Sequence, residues 1–129
     1  MTPPATSPDQ RTILLIDDEQ SVRSIVMRIL QRASFKVLEA ESGEAALKIV
    51  ESHTGTIDLV VTDLHMPGLN GTEVVEKLAT LRPGLKVLFM SGYAEHDVVA
   101  RTGVPGGANF LHKPFSGQEL TNAVKAAIG

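Results

Sequence analysis

Apolar residues along this chain follow two rhythms that take turns. The stretch "TILLID" (12–17) is an unbroken aliphatic run, the pattern of a strand covered on both faces. After it, Val22, Ile25, Val26, Ile29 and Leu30 recur at i, i+3, i+4, i+7 and i+8, which predicts one stripe of an amphipathic helix. "FKVLEA" (35–40) reads as a weaker strand nearer a sheet edge, and "SGEAALKIVES" (42–52) as a helix capped by Ser42 with Glu44 in its first turn. A third strand, "IDLVVTD" (57–63), precedes a helix that opens near Gly71 and turns Val74, Val75, Leu78 and Leu81 inward. That helix stops before Arg82-Pro83-Gly84, because the residue before a proline avoids helical geometry. "KVLFMS" (86–91) is the fourth strand, a short helix is expected around Glu95 to Arg101, and "NFLH" (109–112) is the fifth strand. Ser116 caps a last helix whose Leu120, Ala123, Val124, Ala127 and Ile128 repeat the stripe of the first.

Five strands alternating with five helices predict an α/β fold, a mostly parallel sheet with helices on both faces. Right-handed crossovers put the carboxyl ends of all strands on one edge, and ligands bind outside those ends where strand order reverses. The sequence places Asp17 and Asp18 after strand one, Asp63 at the end of strand three, Ser91 after strand four and Lys113 after strand five. Residues distant along the chain thus converge on one crevice.

Composition narrows the class without naming a function. The chain has 129 residues, enough for one domain with a real core. A net charge of −3 gives no footprint for nucleic acid or anionic lipid, and the absence of cysteine removes disulfides and thiolate metal sites. No run approaches the roughly 18–20 apolar residues of a membrane span, and the N-terminus lacks a signal-peptide layout, so a cytoplasmic location is expected. Residues 1–10, "MTPPATSPDQ", are polar with prolines at 3, 4 and 8 and read as a flexible lead-in to a domain over 11–129.

Three carboxylates in one crevice repel one another unless something offsets their charge. A hard cation with oxygen ligands does so, and Mg²⁺ favours one or two carboxylates, a carbonyl and retained waters. Lys113 adds a point charge able to reach a phosphate, and Ser91 adds a hydroxyl donor. Together they would receive a phosphoryl group, with Asp63 the carboxylate nearest to attack it. Each piece alone has a structural reading: an Asp-Asp pair commonly caps a helix, and Lys-Pro is usually a turn.

Four motifs, "ILLIDDE", "DLVVTDLHMPGLNG", "VLFMSGY" and "FLHKPF", resemble those of response-regulator receiver domains of two-component phosphorelays, across about residues 11–129. The resemblance implies a flavodoxin-like parallel sheet of order 2-1-3-4-5. It implies that Asp63 is the phosphoacceptor, and that Mg²⁺, or Mn²⁺ in its place, is bound by Asp18 and Asp63 directly and by Asp17 through water. The backbone carbonyl of His65 would complete the ligands, Lys113 would pair first with Asp63 and then with the phosphoryl group, and the Lys113-Pro114 bond would be cis. Ser91 is implied as the switch hydroxyl and Phe110 as the switch aromatic. The expected partner is a histidine kinase or a histidine phosphotransfer protein. The expected role is signalling rather than enzymatic turnover, with no direct nucleic-acid contact and a monomeric state, although the sequence leaves oligomerisation open.

Where many receivers carry tyrosine, position 110 is phenylalanine, so an outward ring gains no hydrogen bond there. "RTGVPGGANF" (101–110) should end the fourth helix early. The wording "VLFMSGY" with a short fourth helix is similar to receivers joined to hybrid sensor kinases, which leaves two readings, a domain of such a kinase or a stand-alone relay protein. Gly129 closes the chain after the last helix, so no output domain is expected within it. His65 and Tyr93 are expected to flank the path of an attacking water, and His53, His96 and His112 to lie on the surface. Three alternatives compete with this reading. A magnesium phosphatase acting through an aspartyl phosphate would need a carboxylate two residues beyond Asp63, where His65 stands, and a flavin module on the same fold would need a Gly- and hydroxyl-rich loop after strand one. A receiver-like scaffold that binds a partner without phosphorylation is disfavoured by the intact set of acids, Ser91 and Lys113.

Overall fold

The computed structural model describes residues 10–64, 66, 68, 71–92 and 110–128. In chain order its elements are β1 (Thr12–Ile16), α1 (Gln20–Arg32), β2 (Lys36–Ala40), α2 (Gly43–Ser52), β3 (Leu59–Asp63), α3 (Gly71–Leu81), β4 (Val87–Ser91), β5 (Phe110–His112) and α4 (Gly117–Ile128). The helix expected around Glu95 to Arg101 lies outside the described residues. All strand pairs are parallel and the order is β2-β1-β3-β4-β5, as the resemblance implied.

The aliphatic run of β1 is buried on both faces. Ile13 and Leu15 pack with Val26 and Leu30 of α1 and Leu120 and Val124 of α4. Leu14 and Ile16 point the other way, to Ala46 and Val50 of α2 and Val74 and Leu78 of α3. The period of two along a strand sorts neighbouring residues to opposite layers, which is why such a strand has no polar face. By contrast β2 sits at the edge, and only its last residue, Ala40, is buried.

Two members of the predicted stripes are not in the core. Ile25 is 59% exposed and Leu81 is 47% exposed. On α1 the fully buried residues are Val26 and Leu30. At roughly 100° per residue Ile25 stands a quarter turn away from Val26, so it falls off the rim of the buried arc. Leu81 is the final residue of α3, one turn beyond the last buried residue, Leu78.

The ends of the helices are chemically specified. Ser42 Oγ accepts the Ala45 N–H at 3.0 Å, the expected cap of α2. At α4 the capping is reciprocal: Ser116 Oγ accepts from the Glu119 N–H at 3.0 Å, while Glu119 Oε1 accepts from the Ser116 N–H at 2.9 Å. The end of α1 is a Schellman turn, with Phe35 N–H donating to the Leu30 carbonyl and Ser34 N–H to that of Gln31, at 3.1 and 3.0 Å. This puts Ser34 at φ +73°, a left-handed conformation that costs a side-chain-bearing residue about 1 kcal/mol or more. Ser34→Gly will therefore raise the urea midpoint, by about 0.5–1 kcal/mol of stability with an unchanged slope, and a loss of stability would refute this account of the turn.

Candidate functional site

The strand register brings the sequence-distant candidates together. Ile16, at the end of β1, pairs with Thr62 on β3, so Asp17 and Asp63 leave neighbouring strands at the same height. Asp63 pairs with Met90 on β4, which places Ser91 one residue further along. Ser91 in turn pairs with His112, the residue before Lys113. The connection is tightened by the Lys113 N–H, which donates to the Ser91 carbonyl at 2.7 Å.

Within this crevice Asp17, Asp18 and Asp63 each offer a carboxylate oxygen, all within 4.8 Å of one another. Asp17 and Asp63 are buried, whereas Asp18 is exposed. Lys113 Nζ lies 3.3 Å from Asp63 Oδ2, the pairing expected before phosphorylation. Ser91 is fully buried at the end of β4. Phe110 is half-buried and packs against Leu64 and Phe89, the residues just beyond Asp63 and across the β4–β5 register. The Lys113-Pro114 peptide bond is cis. His65, Tyr93 and His96 lie outside the described residues. His112 is exposed, and His53 is half-buried at the end of α2.

Electrostatically the site is short of positive charge. Burial pushes the Asp17 carboxyl above its ordinary value of 3.8; the Glu19 N–H, donating at 2.9 Å to Oδ1, works against this. Asp63 and Asp18 raise it further by repulsion and Lys113 lowers it. Meanwhile Asp17 Oδ2 is buried without a hydrogen-bond partner. A buried carboxylate oxygen left unsatisfied is costly, and two further carboxylates beside it make the set fit a hard divalent cation rather than a structural cap.

The backbone around Asp63 depends on a glycine the hydrophobic pattern did not single out for this purpose. A Cβ on Gly71 would stand 2.5 Å from the Asp63 carbonyl oxygen and 3.0 Å from Leu64 Cα. The Gly71 N–H also donates to the Leu64 carbonyl at 3.1 Å, so the start of α3 is stitched directly to the end of β3. Gly68, between β3 and α3, has φ +78°, a left-handed conformation open to glycine without strain.

Sequence reasoning also missed Arg23. Its guanidinium donates from Nη1 to the Asp17 carbonyl at 2.8 Å and from Nε to Glu39 at 2.9 Å. A stripe drawn through Ile25 left position 23 on the polar side of α1. Centred on Val26 and Leu30, the buried arc instead takes Arg23 in, about 40° from its middle.

Comparison with known proteins agrees with this geometry. Residues 13–125 match the response regulator receiver domain family. Over 119 residues the chain is 43% identical to the sensor kinase CckA of Brucella abortus (strain 2308), spanning 91% of this chain but only 12% of that protein. It is 28% identical over 113 residues to sporulation initiation phosphotransferase F of Bacillus subtilis (strain 168), covering 88% of this chain and 90% of that protein. The solved receiver domain of the hybrid histidine kinase CckA superposes with a TM-score of 0.77 at 36% identity, over 92% of this chain and 99% of that one. The chain belongs to the response regulator receiver domain family, the phosphoacceptor modules of two-component signal transduction.

Proposed function

We propose that Asp63 is the phosphoacceptor and that it takes a phosphoryl group from a phosphohistidine on a histidine kinase or a histidine phosphotransfer protein. The observation that carries this is the cluster itself: three carboxylates within 4.8 Å, with Lys113 at 3.3 Å from Asp63. Asp17, Asp18 and Asp63, with the backbone carbonyl of His65, would hold Mg²⁺, Mn²⁺ being the alternative. Bound there, the ion would offset the acidic charge and lower the electrostatic barrier to an anionic donor.

In the transfer an Asp63 Oδ forms the new O–P bond while the P–N bond of the donor breaks, its electron pair leaving with the imidazole. Lys113 pairs with Asp63 before the reaction and with a phosphoryl oxygen after it. Such an acceptor signals rather than turns over, and its own chemistry is limited to slow self-phosphorylation by small acyl phosphates and self-dephosphorylation. The 43% identity to the sensor kinase CckA supports the reading as a domain of a hybrid kinase, the alternative being a stand-alone relay protein.

The phosphoryl group adds up to two negative charges and three acceptor oxygens. Ser91 would donate to one of them, and Phe110, already half inside against Leu64 and Phe89, would complete its inward packing. Moving a two-state equilibrium from 1:99 to 99:1 takes about 5.5 kcal/mol. Two charge-assisted hydrogen bonds at about 1.5–3 kcal/mol each approach that figure.

The test is intact-mass spectrometry after incubation with Mg²⁺ and a small acyl-phosphate donor. Wild type is expected to gain one phosphoryl group and Asp63→Asn none. Equal labelling of both proteins would refute the assignment.

A further inference from the structure

We propose that Arg23 is a positioning residue for the acidic site: it fixes the orientation of the peptide that joins Asp17 to Asp18 and so sets the affinity for the divalent cation. This rests on the reading of Asp17, Asp18 and Asp63 as the Mg²⁺ cluster and assigns Arg23 a part in it.

The carbonyl that Arg23 Nη1 holds at 2.8 Å belongs to Asp17, so it lies in the Asp17–Asp18 peptide plane. A peptide unit is rigid, and pinning its oxygen fixes the direction in which the Asp18 Cα leaves. Asp17 has other anchors: its N–H donates to the Ala40 carbonyl at 3.1 Å and its Oδ1 accepts from the Glu19 N–H. Asp18 is exposed, so packing does not place its carboxylate and the preceding peptide must.

The guanidinium suits this task because its donors are fixed in one plane. While Nη1 holds Asp17, Nε donates to Glu39 on β2, which stops the head group from rotating. The Arg23 side chain is 12% exposed and that of Glu39 is 45% exposed. An ion pair so open on one side contributes under about 1 kcal/mol, so stability alone gives a weak reason to bury an arginine at this position. Its inward end is aimed at the acid loop.

The test measures Mg²⁺ affinity of the folded chain by isothermal titration calorimetry, well below the melting temperature. Arg23→Gln is expected to weaken Mg²⁺ about tenfold, the lower end of what outer partners of metal ligands typically cost. Arg23→Lys, which reaches one acceptor but not both, is expected to weaken it about threefold, and decides the matter should the glutamine variant fail to fold. Ser42→Ala, which removes the remote cap of α2, is the stability control and is expected to bind as wild type does. Arg23 variants that bind Mg²⁺ as tightly as wild type would overturn the inference and leave Asp63 as phosphoacceptor untouched. A wild-type chain that takes up no Mg²⁺ would overturn the metal site itself.

Discussion

Asp17→Asn will melt higher than wild type in the presence of a chelator, and magnesium will then stabilise wild type but hardly the variant. Two effects of one carboxylate separate here. Without a cation, Asp17 keeps a buried oxygen with no hydrogen-bond partner beside two other acids. Asparagine preserves an oxygen to accept from the Glu19 N–H and puts an amide donor where the unsatisfied oxygen stood, facing the remaining carboxylates.

The pH dependence follows from the direction of the shift. Burial raises the folded-state carboxyl above 3.8, so between that value and the raised one the folded chain binds more protons than the unfolded chain. Stability therefore falls as pH rises through this window and stays lowered above it. The advantage of asparagine will be full above the raised value and vanish as pH drops towards 3.8. With magnesium at about a hundred times its dissociation constant, linkage adds about 2.7 kcal/mol to wild type, a melting shift on the order of 10 °C. Thermal melts of both proteins, with chelator and with magnesium, check this. An asparagine variant less stable than wild type in chelator would refute the account.

Gly71→Ala is expected to damage both fold and site. The added carbon would meet the Asp63 carbonyl oxygen at 2.5 Å and Leu64 Cα at 3.0 Å. Both are backbone atoms, so no change of rotamer relieves the contact, and α3 must back away from β3. Overpacking of this kind costs about 1–3 kcal/mol, and we expect the upper end because the Gly71–Leu64 hydrogen bond is strained with it. The better helix propensity of alanine counts for little at the first residue of the helix. The melting temperature should fall by roughly 10 °C. Because the displaced carbonyl belongs to Asp63, phosphoryl labelling should also slow at temperatures where the variant is fully folded. Urea melts paired with labelling rates separate the two losses, and a variant of wild-type stability would show that the close approach has no consequence.

The legible part of the fold came from burial. An unbroken aliphatic run as short as "TILLI" fits a strand covered on both faces better than a helix, and Ser42 and Ser116 announce helices by the acceptor they offer to free N–H groups. The candidate site was legible for a related reason. Charged residues directly after apolar strands have one place to go, the carboxyl edge of the sheet. Errors arose at the margins of stripes, where a quarter turn separates core from solvent: Ile25, counted in the stripe, is exposed, and Arg23, which the stripe leaves out, has a side chain only 12% exposed.

What the chain determined by itself is thus the parallel α/β architecture, the identity of its acids, hydroxyl and lysine, and the edge on which they meet, since strand and helix periods and topological handedness are local or general constraints. Only the tertiary structure decided the rest. The register of β1 against β3 sets Asp17 level with Asp63, and the unfilled space at Gly71 lets α3 touch the Asp63 backbone. The hold of Arg23 on the Asp17 carbonyl is of the same kind, because its acceptor is a main-chain atom that every residue possesses. Hydrogen bonds to backbone and close backbone approaches leave little compositional trace, so their partners become visible only when the chain is folded.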